Sequence, residues 1–146
     1  MNAENYVTLE FPSRSANEGF TRSAAACFAA QLDPTLEEVN DIKTAVSEAV
    51  TNAVVHGYPD RLGKVRLRLR LFEDHTLEVA VQDWGVGIAD IQQARTPLFT
   101  TGGGERAGMG FTIMESFMDS LKVRSKPGKG TVVTMRRRVS LRAAGK

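Results

Sequence analysis

The segment VRLRLRLF (65–72) alternates strictly, with Val65, Leu67, Leu69 and Leu71 pointing one way and Arg66, Arg68 and Arg70 the other. A strand of this kind offers one face to a core and one to water. The rest of the chain must therefore supply a single apolar layer to cover one side of a sheet. LEVAVQD (77–83) is a further strand, and the short Glu73-Asp74-His75 link makes the two a hairpin. YVTLEF (6–11) alternates Val7, Leu9 and Phe11 with polar neighbours, as a half-buried strand does. LKVRS (121–125) and TVVTMRRRV (131–139) read as two last strands joined by the turn 126–130. The Arg66/Arg68/Arg70 ladder is read as a solvated sheet face.

The covering layer is helical. Asn17 to Gln31 is predicted as a helix from the spacing of Phe20, Ala24, Cys27, Phe28 and Gln31, and Asp33-Pro34 interrupts it. Thr35-Leu-Glu-Glu38 has the capping-box pattern, in which Thr35 and Glu38 satisfy exposed N–H groups at a helix start. That second helix should run to about Val55 and end at Gly57 and Pro59. A third helix is expected from about Gly108 to Asp119. The order is strand, two helices, hairpin, loops and helix, hairpin. It implies an α+β fold, a two-layer sandwich of a mixed, largely antiparallel sheet with helices on one face.

The 146 residues, 42% hydrophobic and 25% charged, suit one globular domain, taken as 1–138 with a basic tail at 139–146. No apolar run approaches the roughly 20 residues that span a bilayer, and MNAENYVTLEF lacks the basic start and apolar stretch of a secretory signal. One cysteine, Cys27, makes no intrachain disulfide and no thiolate metal cluster. A cytoplasmic protein with no membrane partner is expected. The formal net charge is +2, but all 17 acidic residues precede Ser120, whereas nine of the 19 Lys and Arg follow Asp119. A nucleic-acid binder carries a basic surface over its folded body. Here the body is acidic and the excess is terminal, so no direct nucleic-acid partner is expected.

Four segments carry chemistry. SEAVTNAVVHG (47–57) puts Glu48, Asn52 and His56 four residues apart along one helical stripe, flanked by Ala49, Val50, Ala53, Val54 and Val55. A carboxylate and an amide beside so much apolar surface need partners. Asn supplies a hard carbonyl oxygen that suits Mg²⁺, although a satisfied hydrogen-bond network would use the same residues. His56, with no second His nearby, is read as capping or packing rather than ligating. Asp83-Trp84-Gly85-Val86-Gly87 ends an apolar strand with an acceptor and glycines that let a ligand close on the backbone, or simply forms a turn. Gly102–104 and Gly108-Met109-Gly110 lead into a helix, where backbone N–H groups and the helix dipole favour phosphate; the alternative is a plain loop before a helix. The pattern is neither a P-loop nor a Rossmann turn. Gly130-Thr131 opens the last strand and by itself signifies a turn.

In this order and spacing the four resemble the GHKL ATPase/kinase superfamily of gyrase, Hsp90-type chaperones, histidine kinases and MutL, with its Bergerat ATP-binding fold. The likeness is nearer to the small anti-sigma-factor serine kinases. DIKTAVSEAVTN (41–52), PLFTT (97–101) and GMGFTIME (108–115) are similar to their sporulation, sigma-F-type branch, as are LEF (9–11), Asn17-Glu18 and AQLDPT (30–35). The resemblance spans about residues 7–135. It implies ATP/ADP and Mg²⁺ as cofactors, with Asn52 as the Mg²⁺ ligand and Glu48 as general base for an attacking hydroxyl. Asp83 would receive the adenine amino group, Gly85 and Gly87 would let the base lie against the backbone, and Thr131 would support adenine. Gly108, Met109 and Gly110 would hold phosphates, beneath a lid over 100–108 that includes Thr100 and Thr101. Arg106 would meet the terminal phosphate, and Arg22 would contact a partner. The lid GGGERA (102–107) is richer in glycine and slightly shorter than in those relatives. The implied function is an anti-sigma factor that sequesters a sporulation sigma factor. As a protein serine kinase it would phosphorylate an anti-anti-sigma protein, and it would form a homodimer. A general-stress-type kinase and a non-catalytic nucleotide-sensing module are the alternatives.

Overall fold

A computed structural model describes residues 2–96 and 105–140, and for 105–108 only the backbone. Its elements run β1 (Ala3–Pro12), α1 (Asn17–Ala29), a 3₁₀ turn (Ala30–Leu32), α2 (Leu36–Thr51), a π-helical turn (Asn52–Gly57), β2 (Lys64–Phe72), β3 (Thr76–Asp83), α3 (Ile91–Arg95), α4 (Glu105–Phe117), β4 (Ser120–Lys126) and β5 (Gly130–Arg138). The five strands form one sheet in the order β1-β2-β3-β5-β4. Every described pairing is antiparallel, so the mixed component expected from sequence is not seen among the described residues. The reason is local: β1 reaches β2 after the helical crossover, and the other strands come from two hairpins.

The alternation of β2 fixes its register. Val65, Leu67 and Leu69 are fully buried, and they pair across β3 with Asp83, Val81 and Val79. This face packs on α1, α2 and α4 through Ala25, Phe28, Ile42, Val46, Val50 and Met114. A one-residue slip would turn the leucines to water and the arginines inward, so the register is strongly specified.

The buried stripe of α1 differs from the predicted one. Thr21, Ala25, Phe28, Ala29 and Leu32 face the core, while Phe20 is 61% exposed and Cys27 is also exposed. Ala25 and Ala29, four residues apart and fully buried, let α1 lie close on α2, and Phe28 of the expected stripe is buried between them and Leu32. Helix α4 begins at Glu105 rather than near Gly108 because Glu105, Arg106 and Ala107 are good helix formers. The short α3, tied to α4 by Arg95 and Glu115 at 2.8 Å, had no clear sequence periodicity.

Helix α2 starts with the expected capping box. Thr35 Oγ1 accepts from Glu38 N at 3.1 Å, and Thr35 N donates to Glu38 Oε1 at 2.8 Å. Glu38 does more than cap. Its second oxygen accepts from Ser140 N at 2.8 Å and Ser140 Oγ at 2.7 Å, while Val139 is buried beside it. Residues 139 and 140, assigned to the tail on sequence, thus lie against the domain. At the same end of β5, Arg137 Nη1 donates to Asp41 and to the Phe117 carbonyl, joining α2, α4 and β5.

Burial pushes the Glu38 carboxyl up, but donors from Thr35 and Ser140 more than offset it and hold the group down to about 2. A folded-state value below the unfolded one adds stability above the ordinary glutamate range, and that stability is lost as pH falls toward 2. Glu38→Gln should lower stability at pH 7 by about 1–2 kcal/mol and lose less on acidification than the parent chain, read from urea unfolding at both pH values. Equal acid sensitivity in the two proteins would remove Glu38 as the cause.

Candidate active site

Helix α2 carries Glu48, and at Asn52 it widens into the π-helical turn. Such turns insert a residue into the helical repeat and recur at functional sites. From this turn Asn52, Ala53, His56 and Gly57 line one wall of a cavity of about 140 Å³. The plain α-helix predicted to Val55 therefore stops at Thr51. Asp83, Gly87, Ile88 and Thr131 from the sheet side, with Ala94 and Phe111 from α3 and α4, complete its lining.

Asp83 is the buried carboxylate of this cavity, 5% exposed at the end of β3. Its Oδ1 accepts from Gly85 N at 2.9 Å. Burial raises its affinity for a proton, partly offset by the N–H groups of Gly85 and Thr131. The surrounding backbone approaches too closely for side chains. A Cβ on Gly57 would stand 2.8 Å from Asp83 Cγ, and one on Gly85 only 1.9 Å from the Gly57 carbonyl oxygen. The Gly57 carbonyl instead accepts from Val86 N at 2.9 Å, stitching the π-helical turn to the loop after β3. Gly87 has φ +75° and Gly130 φ +110°, conformations that glycine adopts without strain.

Glu48 and Asn52 meet across Gly110. A Cβ there would lie 3.3 Å from Asn52 Oδ1 and 3.4 Å from Glu48 Oε1, so the absent side chain leaves room beside both groups. Glu48 also opens outward, lining a depression of about 290 Å³ between α1 and α2 together with Arg22 and Ser47. Glu18 holds Arg22 at 3.5 Å and accepts from Ser47 Oγ at 2.7 Å, fixing two residues of the depression's lining.

The sequence-predicted residues thus fall into three groups. Asn52, Asp83, Gly87 and Thr131 share the cavity, with Gly85 packed on the Gly57 backbone. Glu48 and Arg22 share the outer depression, and Gly110 is where α4 comes closest to Glu48 and Asn52. Met109 is 38% exposed. Thr100 and Thr101 lie outside the described residues, and at Arg106 and Gly108 only the helical backbone is described. His56 lines the cavity, and no cluster of three His, Cys, Asp or Glu suited to a metal exists among the described residues.

Three positioning residues were not anticipated. Tyr58 donates from its hydroxyl to the Lys64 carbonyl at 2.6 Å and accepts from Trp84 N at 2.7 Å, pinning the residue after Asp83. Ser125 Oγ donates to the Gly130 carbonyl at 2.9 Å and accepts from Ile88 N at 2.7 Å, and it lies 2.8 Å from Thr131 Oγ1. Gly57, read only as a helix stop, is the surface on which Asp83 rests. Periodicity and spacing carry no mark of such long-range contacts; the Gly57-Tyr58 pair after an apolar helix was the one local hint.

A family model described as the histidine kinase-like ATPase domain matches residues 11–137. The chain belongs to that family. An ATPase domain is a nucleotide-binding module, and the cavity has the requisite acceptor and close backbone. Within the family, the chain is 53% identical over 136 residues to the anti-sigma F factor of Caldanaerobacter subterraneus subsp. tengcongensis, covering 92% of this chain and 94% of that one. It is 56% identical over 133 residues to the anti-sigma F factor of Pasteuria penetrans, covering 90% and 89%. The solved RsbU and RsbW domains of a Mycobacterium tuberculosis protein match with a TM-score of 0.66 at 19% identity, over 92% of this chain and 32% of that one, a likeness of fold alone. The histidine kinase domain of a blue-light-activated kinase from Erythrobacter litoralis matches with a TM-score of 0.56 at 25% identity, over 88% and 62%. No helix among the described residues is long and apolar enough to cross a membrane.

The buried Asp83 has a measurable cost. Because its folded-state proton affinity is raised, stability is greatest below the ordinary aspartate range and falls as pH rises through the shifted value. Asp83→Asn keeps an acceptor for Gly85 N–H without the charge. It should therefore melt above the parent chain at pH 7 in the absence of nucleotide, with the gap closing near pH 4, as scanning calorimetry would read. A lower melting temperature at pH 7 would mean that the charged hydrogen bonds outweigh burial.

Proposed function

We propose that this chain is an anti-sigma factor that holds a sporulation sigma factor and, as an ATP-dependent protein serine kinase, phosphorylates the anti-anti-sigma protein that opposes it. The observation that carries this reading is the placement of Glu48. The carboxylate lies beside Asn52 and Gly110 on the nucleotide side and lines the outer depression on the other. A group in that position can touch both a phosphoryl donor and a protein segment arriving from outside. The identity of over half to anti-sigma F factors supplies the partner class.

In this reading Asp83 accepts from the adenine amino group, Gly85 and Gly87 allow the ring to approach the backbone, and Thr131 steadies it through Ser125. The α4 glycines Gly108 and Gly110, with Met109, Thr100 and Thr101, surround the phosphates, and Arg106 meets the terminal one. The room left at Gly110 and the amide oxygen of Asn52 fit a hydrated Mg²⁺, which when bound neutralises phosphate charge. Glu48 takes the proton of the substrate serine as its oxygen bonds to the γ-phosphorus and the bond to ADP breaks. Arg22, at the rim of the same depression, contacts the incoming partner. Phosphorylation then places a dianion in the antagonist's binding surface and weakens its hold, freeing the anti-sigma surface. The active assembly is a homodimer, checked by light scattering.

Glu48→Gln should retain ATP affinity and slow phosphoryl transfer by about 10²–10⁴-fold, measured with labelled ATP and the candidate antagonist. Label appearing on a partner serine at the parent rate would reject Glu48 as the base. Absence of label with the parent chain, despite nucleotide binding, would reduce the protein to a sigma-binding module.

A further inference from the structure

The sheet face opposite the helices carries its own pattern. Arg66, Arg68 and Arg70 stand along β2, and Lys122 and Arg124 on β4 with Arg136 on β5 stand opposite. Between the two rows runs a floor of uncharged side chains: Ala80 pairs with Thr134, and Gln82 with Val132. The resulting trough has a volume of about 580 Å³. Two carboxylates touch this set. Glu78 is 3% exposed and held by Arg70 and Arg136, and Glu10 at the outer edge pairs with Arg66 at 2.6 Å. Lys122 and Arg124 form no ion pair among the described residues, and Arg68 reaches Glu78 only at 3.9 Å.

We propose that this cationic trough docks an acidic helical segment of a protein partner. The trough lies on the face of the sheet away from the nucleotide cavity, so this docking role is independent of the kinase reading. Its dimensions suit a helix. Three strand spacings separate β2 from β4, about 14 Å, against a helix diameter of about 10–12 Å with side chains. From Arg66 to Arg70 the wall runs about 13 Å, matching between two and three helical turns. Acidic residues on both flanks of such a helix would meet cations on both walls, while its small or apolar side chains rest on Ala80, Thr134 and Val132. A second copy of this face would bring like charges together and is disfavoured. Single-stranded nucleic acid binds through bases stacked on free aromatic rings. Here the bordering rings are already covered, Trp84 by Lys64 at 4.6 Å and Arg66 at 5.2 Å, and Phe72 by Arg70 and Arg136 at 5.2 Å each.

The test uses the full chain and a fluorescein-labelled, alanine-based helical peptide with glutamates spaced four residues apart, compared with the same peptide bearing glutamines. Fluorescence anisotropy should show binding of the glutamate peptide that weakens with salt. The triple variant Arg68→Gln/Lys122→Gln/Arg124→Gln should lower its affinity at least about tenfold while leaving ADP affinity unchanged. The pair Lys122→Gln/Arg124→Gln, confined to the exposed edge strand, provides a milder version that preserves the fold and should show part of the loss. Equal binding of the glutamine peptide, or no binding of either, would overturn the proposal. So would tighter binding of an oligothymidine at the same salt that the same substitutions abolish, which would make the face a nucleic-acid site. A drop in sedimentation mass caused by the substitutions would make it a self-interface and overturn the proposal equally.

Discussion

Asp83 ends β3 with Gly57 against its carboxylate and Gly130 against its carbonyl, where a Cβ on either glycine would lie within 2.8 Å of the nearest Asp83 atom. This crowding fixes how the helical layer meets the sheet. The Val86–Gly57 and Gly128–Val86 hydrogen bonds, at 2.9 and 2.7 Å, then chain the π-helical turn, the loop after β3 and the β4–β5 turn into one unit. Any drift of the helices relative to the sheet would break these bonds and bury Asp83 without its acceptor geometry. The rest of the site, from Thr131 to Asn52, is positioned by reference to that one carboxylate.

Much of this was legible in the chain. Period-two alternation gave β1, β2, β3 and the final hairpin, because a sheet with one wet face writes its burial directly into the sequence. Thr35 and Glu38 announced α2, since a capping box is a local motif whose geometry involves only four residues. Asn52, Asp83 and Thr131 were found by spacing and resemblance, and they do meet in one cavity. What escaped depends on tertiary contact. The α1 stripe buries Thr21, Ala25 and Ala29 with Phe28, and leaves Phe20 and Cys27 exposed, a choice set by the contact with α2 and the sheet that spacing alone does not reveal. Tyr58 and Ser125 act through hydrogen bonds to distant backbone, and the second task of Glu38 required Ser140, 102 residues away.

The two faces of the sheet divide the labour of the charged residues. On the covered side, Asp83 is the buried carboxylate of the cavity, in low-dielectric surroundings where a single hydrogen bond discriminates strongly. On the open side, cations are many and solvent-screened, suited to capture and alignment rather than to chemistry. One set of strands serves both because successive side chains point in opposite directions, so substitutions on one face leave the other intact.

The π-helical turn has a bearing on the chain's history. Its extra residue is a phase shift: remove one position between 52 and 57 and the helix relaxes to ordinary pitch, rotating Gly57 off Asp83 and swinging the Tyr58 hydroxyl away from Trp84. Length in that short stretch is therefore quantised, whereas residues 59–62, exposed and outside any strand, tolerate insertion. Descendants of this domain can lengthen the bend before β2 freely, yet must inherit the bulge whole.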